Sequence, residues 1–137
     1  MDIRKLKSQL IQHEGKRNKL YECSAGKMTI GIGHNIEDLG VSEAVINLMF
    51  EEDINGSIDD LAFIFDDFQS LPETVQHVLI DMRFQLGPGR FRGFKKMIAA
   101  AKDGDWPEMI RQMKDSAWYQ QVPNRANNLI RMIEEVM

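Results

Sequence analysis

Basic residues are missing from the middle of this chain. Residues 28–82 contain no Lys or Arg against twelve Asp or Glu, whereas residues 1–27 carry seven basic and three acidic side chains and residues 83–137 ten and six. An anionic partner would meet the ends and avoid the middle. The plainer reading is that the acidic block is the wet face of helices. Cysteine is nearly absent too: Cys23 stands alone, which excludes an internal disulfide and fits a chain made in a reducing cytosol. No apolar run approaches the roughly 20 residues of a membrane span, so no stable membrane insertion is expected. A charged start followed by an apolar core and a small-residue cleavage site is also lacking, so no secretory signal is expected. Repeats and low-complexity linkers are absent. What remains is a chain of 137 residues, 43% hydrophobic and 28% charged, with net charge −4. That composition fits a soluble globular domain.

Ile3, Leu6, Leu10 and Ile11 follow helical spacing and predict an amphipathic helix over residues 2–12, with Asp2 complementing its dipole and Gly15 as its stop. Glu14 then falls at or just past the helix end. Residues 16–34 read as strands and turns: Asn18 to Glu22, a Ser24-Ala25-Gly26 turn, Lys27 to Ile30, then Gly31-Ile32-Gly33 leading into a third short strand. Alternating glycines let a ligand or another part of the chain come close, or they serve a tight bend. Asp38-Leu39-Gly40 breaks the pattern. Ser42 caps a long helix over about 43–66, with Val45, Leu48, Met49, Ile54, Ile58, Leu61 and Ile64 as its buried stripe and a bend expected at Gly56. Ser70-Leu71-Pro72-Glu73 reads as a capping box. It opens a helix to about Leu86, with Val75, Val78, Leu79, Met82 and Leu86 inward, ended by Gly87-Pro88-Gly89. Phe91 to Ala101 is short and helical. Asp105-Trp106-Pro107-Glu108 opens a helix to about Lys114. Pro123 starts the last helix, with Ala126, Leu129, Ile130 and Ile133 inward. The fold class is therefore α+β, mainly helical after a small N-terminal sheet.

Three constellations could carry chemistry. His13, His34 and His77 share no i, i+4 spacing, and Arg17 stands where a helical zinc site beginning at His13-Glu14 would need its second ligand, so no metal is expected. Asp53-Ile54-Asn55-Gly56 imitates part of a calcium loop, but its glycine comes two positions early and Ile64 stands where the last Glu belongs. Arg83, Arg90, Arg92, Lys95 and Lys96, interleaved with Phe84, Phe91 and Phe94, imitate a phosphate-binding surface. The acidic block opposes that reading, and aromatics at helical spacing usually pack in a core, so no nucleic-acid partner is expected. Glycoside cleavage needs a proton donor at the leaving oxygen and assistance on the opposite ring face. Glu14 could donate, Thr29 could orient a water, and Arg125 could pair with Glu14. Residue types alone make this a weak signal, since a lone Glu after a helix is most often a surface residue.

The order Glu14, eight residues, Cys23, five residues, Thr29 resembles the catalytic Glu–Asp–Thr spacing of the phage T4-type lysozymes (glycoside hydrolase family 24). Glu14-Gly15, Tyr21, Gly26 and Thr29-Ile30-Gly31-Ile32-Gly33-His34 match that family's pattern. So do Phe84-Gln85-Leu86-Gly87, Gly93-Phe94, Trp106, Trp118-Tyr119 and Pro123-Asn124-Arg125-Ala126. The resemblance covers nearly the whole chain. It implies a lysozyme-like fold, with a small antiparallel-sheet lobe (about 13–45) joined by a long helix (about 43–66) to a helical lobe (about 70–137) that takes in the N-terminal helix. It implies a muramidase, cleaving between N-acetylmuramic acid and N-acetylglucosamine in peptidoglycan to lyse bacteria. No cofactor is implied, and a monomer is expected. Glu14 would be the general acid, Thr29 would hold the attacking water, and Arg125 would support Glu14. His34, Asn35, Phe84, Gln85 and Gln112 would contact sugar. Such enzymes commonly serve as endolysins, made in the host cytoplasm and released to the wall in the periplasm through a holin pore.

The chain departs from that family by lacking the helix that usually sits between the sheet and the long helix, by a short tail, and by Cys23 where Asp is usual. A free thiol with a pKa of about 8.5 is only a few per cent ionised at pH 7. Glu14 and Glu22 would disfavour the thiolate, while Lys19 or Arg17 would oppose them. Three readings stay open. The thiolate acts as base or nucleophile; position 23 is auxiliary to Glu14 and Thr29; or the protein is a catalytically silent peptidoglycan-binding module.

Overall fold

Helix α1 runs Ile3–Glu14 and stops where the sequence supplies Gly15, whose φ of 76° no side chain favours. At its start the Asp2 side chain accepts from the Lys5 amide. The computed structural model describes all of residues 1–137 and divides them into two compact units, Met1–Met49 and Phe50–Met137. Eight α-helices and one three-stranded antiparallel sheet make an α+β fold, with the sheet near the N-terminus. No helix is long and apolar enough to cross a membrane.

In the first unit, β1 (Arg17–Glu22), β2 (Met28–Gly31) and β3 (His34–Asn35) pair in sequence order. Tyr21 lies opposite Thr29, Thr29 opposite Asn35, and Ile30 opposite His34. The turn from β1 to β2 is closed by the Cys23 amide on the Lys27 carbonyl and the Gly26 amide on the Cys23 carbonyl. Of the two uses the alternating glycines allowed, the tight bend is present: Gly31, at the end of β2, and Gly33 take φ of 70° and 65° around Ile32 and carry β2 back into β3. The helix thought missing after the sheet is present as one turn, α2 (Ile36–Leu39), capped by Asn35. Lys27 ties α2 to the sheet through Glu37 at 3.4 Å and Asp38 at 3.2 Å. Thr29 is the one buried residue here. The apolar face of α1 (Ile3, Leu6, Leu10, Ile11) is exposed.

Helix α3 (Glu43–Ile64) holds the boundary between the units and continues unbroken through Gly56. Its expected buried stripe is corrected: Leu61 is buried, but Val45, Leu48, Met49 and Ile58 are exposed. Helical periodicity shows which residues share a face, not whether a neighbour covers that face.

The second unit is built on α4 (Glu73–Arg92), where Val75, Val78, Leu79, Met82 and Leu86 all point into the core as expected. The expected capping box does not form. Pro72 occupies the cap position, and Ser70 donates to the Asp67 carbonyl, closing a 3₁₀ turn at Phe68–Ser70. Gly87, at φ 79°, breaks α4 where Gly-Pro-Gly predicted an end, and a second helical run follows to Arg92. Gly93 and Phe94 then separate it from α5 (Lys95–Lys102), so the single helix expected over 91–101 is two. Helix α6 (Trp106–Lys114) is capped by Asp105, and α7 (Ala117–Gln121) by Ser116. Pro123 opens α8 (Pro123–Glu134), whose Ala126, Leu129, Ile130 and Ile133 are buried. Phe91 and the flexible side chains of Met82, Met97, Met109 and Met113 fill the centre.

Candidate functional site

The candidate acid ends α1. Helix α1 brings Glu14 to the Gly31–Gly33 turn, where its side chain lies against the bare α-carbon of Gly33. Cys23 belongs to the turn at the other end of the β1–β2 pair, and Thr29 sits on β2 between the two turns. Cys23 and Thr29 thus adjoin, the Thr29 hydroxyl reaching the Cys23 thiol, whereas Glu14 meets the turn at the opposite end of the strand pair.

Cys23 is half-buried and free. The backbone amide of Lys27, then that of Ala25, holds its thiol pKa below the ordinary value. Partial burial pushes the other way, and the Thr29 hydroxyl lowers it further. The side-chain charges weighed from sequence are not the cause; the N–H groups of a tight turn are, and they act as fixed positive partial charges beside the sulfur. Thr29 is 2% exposed, and its hydroxyl donates to the Lys27 carbonyl at 2.9 Å. That hydroxyl has one proton, so it serves the thiolate only by turning away from the carbonyl.

His34 and Asn35 hold α2 in place. His34 Nε2 lies 2.6 Å from the Gly40 carbonyl. Asn35 accepts the Asp38 amide at 3.1 Å and donates to the Asp38 carboxylate at 2.9 Å. Both positions expected to touch sugar are engaged in shaping the loop beside the sheet.

In the second unit, Phe84 and Arg125 line one open depression of about 330 Å³ together with Phe50, Ile54, His77 and Asp81. Phe50 meets Phe84 edge to face at 5.9 Å. Arg125, expected to pair with Glu14, has its Nε 2.7 Å from the Asp81 carboxylate and donates to the Asp81 carbonyl at 3.4 Å. Asp81 is 44 residues away in sequence, and no local pattern announces the pair. Gln85 accepts from the Trp118 indole at 2.9 Å and so anchors α7. Gln112 lines a different depression with Lys96, Arg111 and Lys114. It donates to Glu108 at 2.8 Å, and this bond, then the one from Arg111, holds the Glu108 carboxyl below the usual range. The basic cluster is partly spoken for: Arg83 and Arg92 both bind Asp60, and Arg90 donates to Gln121. Phe91 is buried and Phe94 packs on Trp118.

The sequence model of the family described as phage lysozyme matches residues 11–131. The chain belongs to that family. It is, accordingly, a hydrolase of the lysozyme kind. Among its relatives is the probable T4-type lysozyme 1 of Dictyostelium discoideum, 26% identical over 96% of this chain and 95% of that protein. The pre-baseplate central spike protein Gp5 of Enterobacteria phage T4 is 32% identical over 90% of this chain, which corresponds to 26% of that protein. The peptidoglycan hydrolase gp36 of Pseudomonas phage phiKMV is 27% identical over 95% of this chain and 15% of its own length. The match to the family takes in Glu14, Cys23, Thr29 and Arg125.

Proposed function

We propose that this member of the phage lysozyme family is a muramidase: it hydrolyses the β-1,4 bond between N-acetylmuramic acid and N-acetylglucosamine in peptidoglycan, and thereby lyses bacteria. The observation that supports this best is Glu14, fixed at the end of α1 against the Gly33 turn within a chain matched to the family over 11–131. Glu14 gives its proton to the glycosidic oxygen as the bond to the anomeric carbon breaks. A water adds to that carbon and gives up its proton. Cys23 is the group proposed to take this proton, because the Lys27 and Ala25 amides favour its thiolate. The thiolate supplies the negative charge that a carboxylate supplies elsewhere in the family. Phe84 and Arg125 are proposed to bind sugar, through the ring face and the guanidinium respectively.

The test is turbidity loss of outer-membrane-permeabilised Gram-negative cells, with wild type, Glu14→Gln and Cys23→Ala compared across pH 5–9. Lysis by wild type with a loss of about 10²-fold or more in Glu14→Gln supports the muramidase reading. If Cys23→Ala also loses activity, and most at the alkaline end, the thiolate takes part. Unchanged lysis by Cys23→Ala makes position 23 auxiliary. Binding of cells without lysis by wild type replaces the reading with a peptidoglycan-binding module, which the thiol at position 23 would explain.

A further inference from the structure

The Glu14 side chain lies against a residue that has no side chain of its own. A Cβ built on Gly33 would lie 2.6 Å from Glu14 Oε2, 2.7 Å from Cδ and 2.9 Å from Cγ. All three atoms belong to one side chain, so a methyl at position 33 displaces the Glu14 carboxyl before it displaces backbone. Gly31, in the same turn, also has a positive φ, 70° against 65°, but a Cβ there meets no atom within 4 Å. Both positions thus disfavour a side chain through φ, and only Gly33 borders Glu14.

We propose that Gly33 is a positioning residue for Glu14: its missing side chain leaves the space that sets where the carboxyl sits. This rests on the reading of Glu14 as the acid. The helix end fixes the Glu14 backbone through Gly15, and Gly33 restricts the rotamers left to the side chain. A general acid must reach one oxygen of the substrate, and a misplacement of about 1 Å costs on the order of 10²-fold in rate. A side chain at position 33 therefore acts on the reaction through Glu14 and not through the fold.

The experiment compares Gly31→Ala with Gly33→Ala in the full chain. It reads the lysis rate and, on ¹³C-labelled glutamate assigned with Glu14→Gln, the carboxyl ¹³C chemical shift of Glu14. Both variants place a side chain at a positive φ. Gly33→Ala is expected to move the Glu14 carboxyl resonance and lower the rate about 10²-fold, while Gly31→Ala leaves the resonance in place and keeps the rate within a few-fold. Equal behaviour of the two variants in both readouts overturns the proposal. If Gly33→Ala unfolds, Glu14→Ala in the same chain removes the atoms the methyl meets. The denaturant midpoint should then recover to that of Gly31→Ala, and no recovery overturns the proposal. If Glu14→Gln lyses as well as wild type, the acid assignment fails, while the Glu14 carboxyl resonance still decides whether Gly33 places the carboxyl.

Discussion

The two units divide the work of the molecule. Residues 1–49 hold Glu14, Cys23, Thr29 and His34 but bury only Thr29. Residues 50–137 hold every buried apolar side chain. The first unit is ordered by hydrogen-bonded turns, three side-chain helix caps (Asp2, Asn35 and Ser42) and the exposed Lys27 pairs, contributions worth about 0.5–1.5 kcal/mol per hydrogen bond and about 0–1 per exposed ion pair. The second is ordered by burial, at about 1.5–3 kcal/mol for each large side chain. Glu14 and Cys23, the residues proposed to act on the bond, thus lie in the unit that buries no apolar side chain, where lower local stability is expected.

The widest gap should show in a crossed pair of variants. Phe91→Ala, which empties a fully buried site, should cost about 3–5 kcal/mol in denaturant unfolding. Glu14→Gln should lose activity with stability unchanged within about 0.5 kcal/mol. Equal stability losses would erase the division. Native-state hydrogen exchange checks the same contrast without mutation. The amides of β1, β2 and β3 should exchange through local openings, at lower free energy than those of α4. Next in size is Asp60→Asn. Asp60 binds both Arg83 and Arg92 at 13% side-chain exposure, so its loss should cost about 1–3 kcal/mol by chemical denaturation. Leu10→Ala, on the exposed face of α1, should change stability by no more than about 0.5 kcal/mol, and a larger loss would give that face a structural role.

The last contrast is in pH dependence. Because the folded Cys23 pKa is depressed, its alkylation by iodoacetamide should have a midpoint below that of a free thiol, about 8.5. Thr29→Val should move that midpoint upward. By linkage, the stability tied to the thiolate is present above the unfolded pKa and lost as pH falls through the folded one. A midpoint at or above that of a free thiol would remove the turn amides as its cause.

Much of the second unit was legible because burial imprints a period. Val75, Val78, Leu79, Met82 and Leu86 repeat at helical spacing and do face the core. The same rule misled on α3, where the stripe is present but Val45, Leu48 and Met49 stay exposed. The strands and the two turns of the first unit were readable from glycine placement. The short helix after the sheet was not, because four residues carry no period and its cap, Asn35, looked like a ligand residue. The partners of the site residues were the least legible, since Arg125 with Asp81 and Arg83 with Asp60 join distant parts of the chain.

By itself, the sequence determined the three short strands, most of the helices and the inward faces of α4 and α8, and its resemblance to the T4-type lysozymes singled out Glu14, Cys23 and Thr29. Local propensity, periodicity and fixed spacing are written along the chain. Only the tertiary structure decided that Glu14 rests on Gly33, that turn amides rather than lysines favour the Cys23 thiolate, and that Asp81 holds Arg125. Glu14 with Gly33 and Arg125 with Asp81 join groups remote along the chain, and the amides around Cys23 converge only through the shape of a tight turn; neither follows from sequence separation.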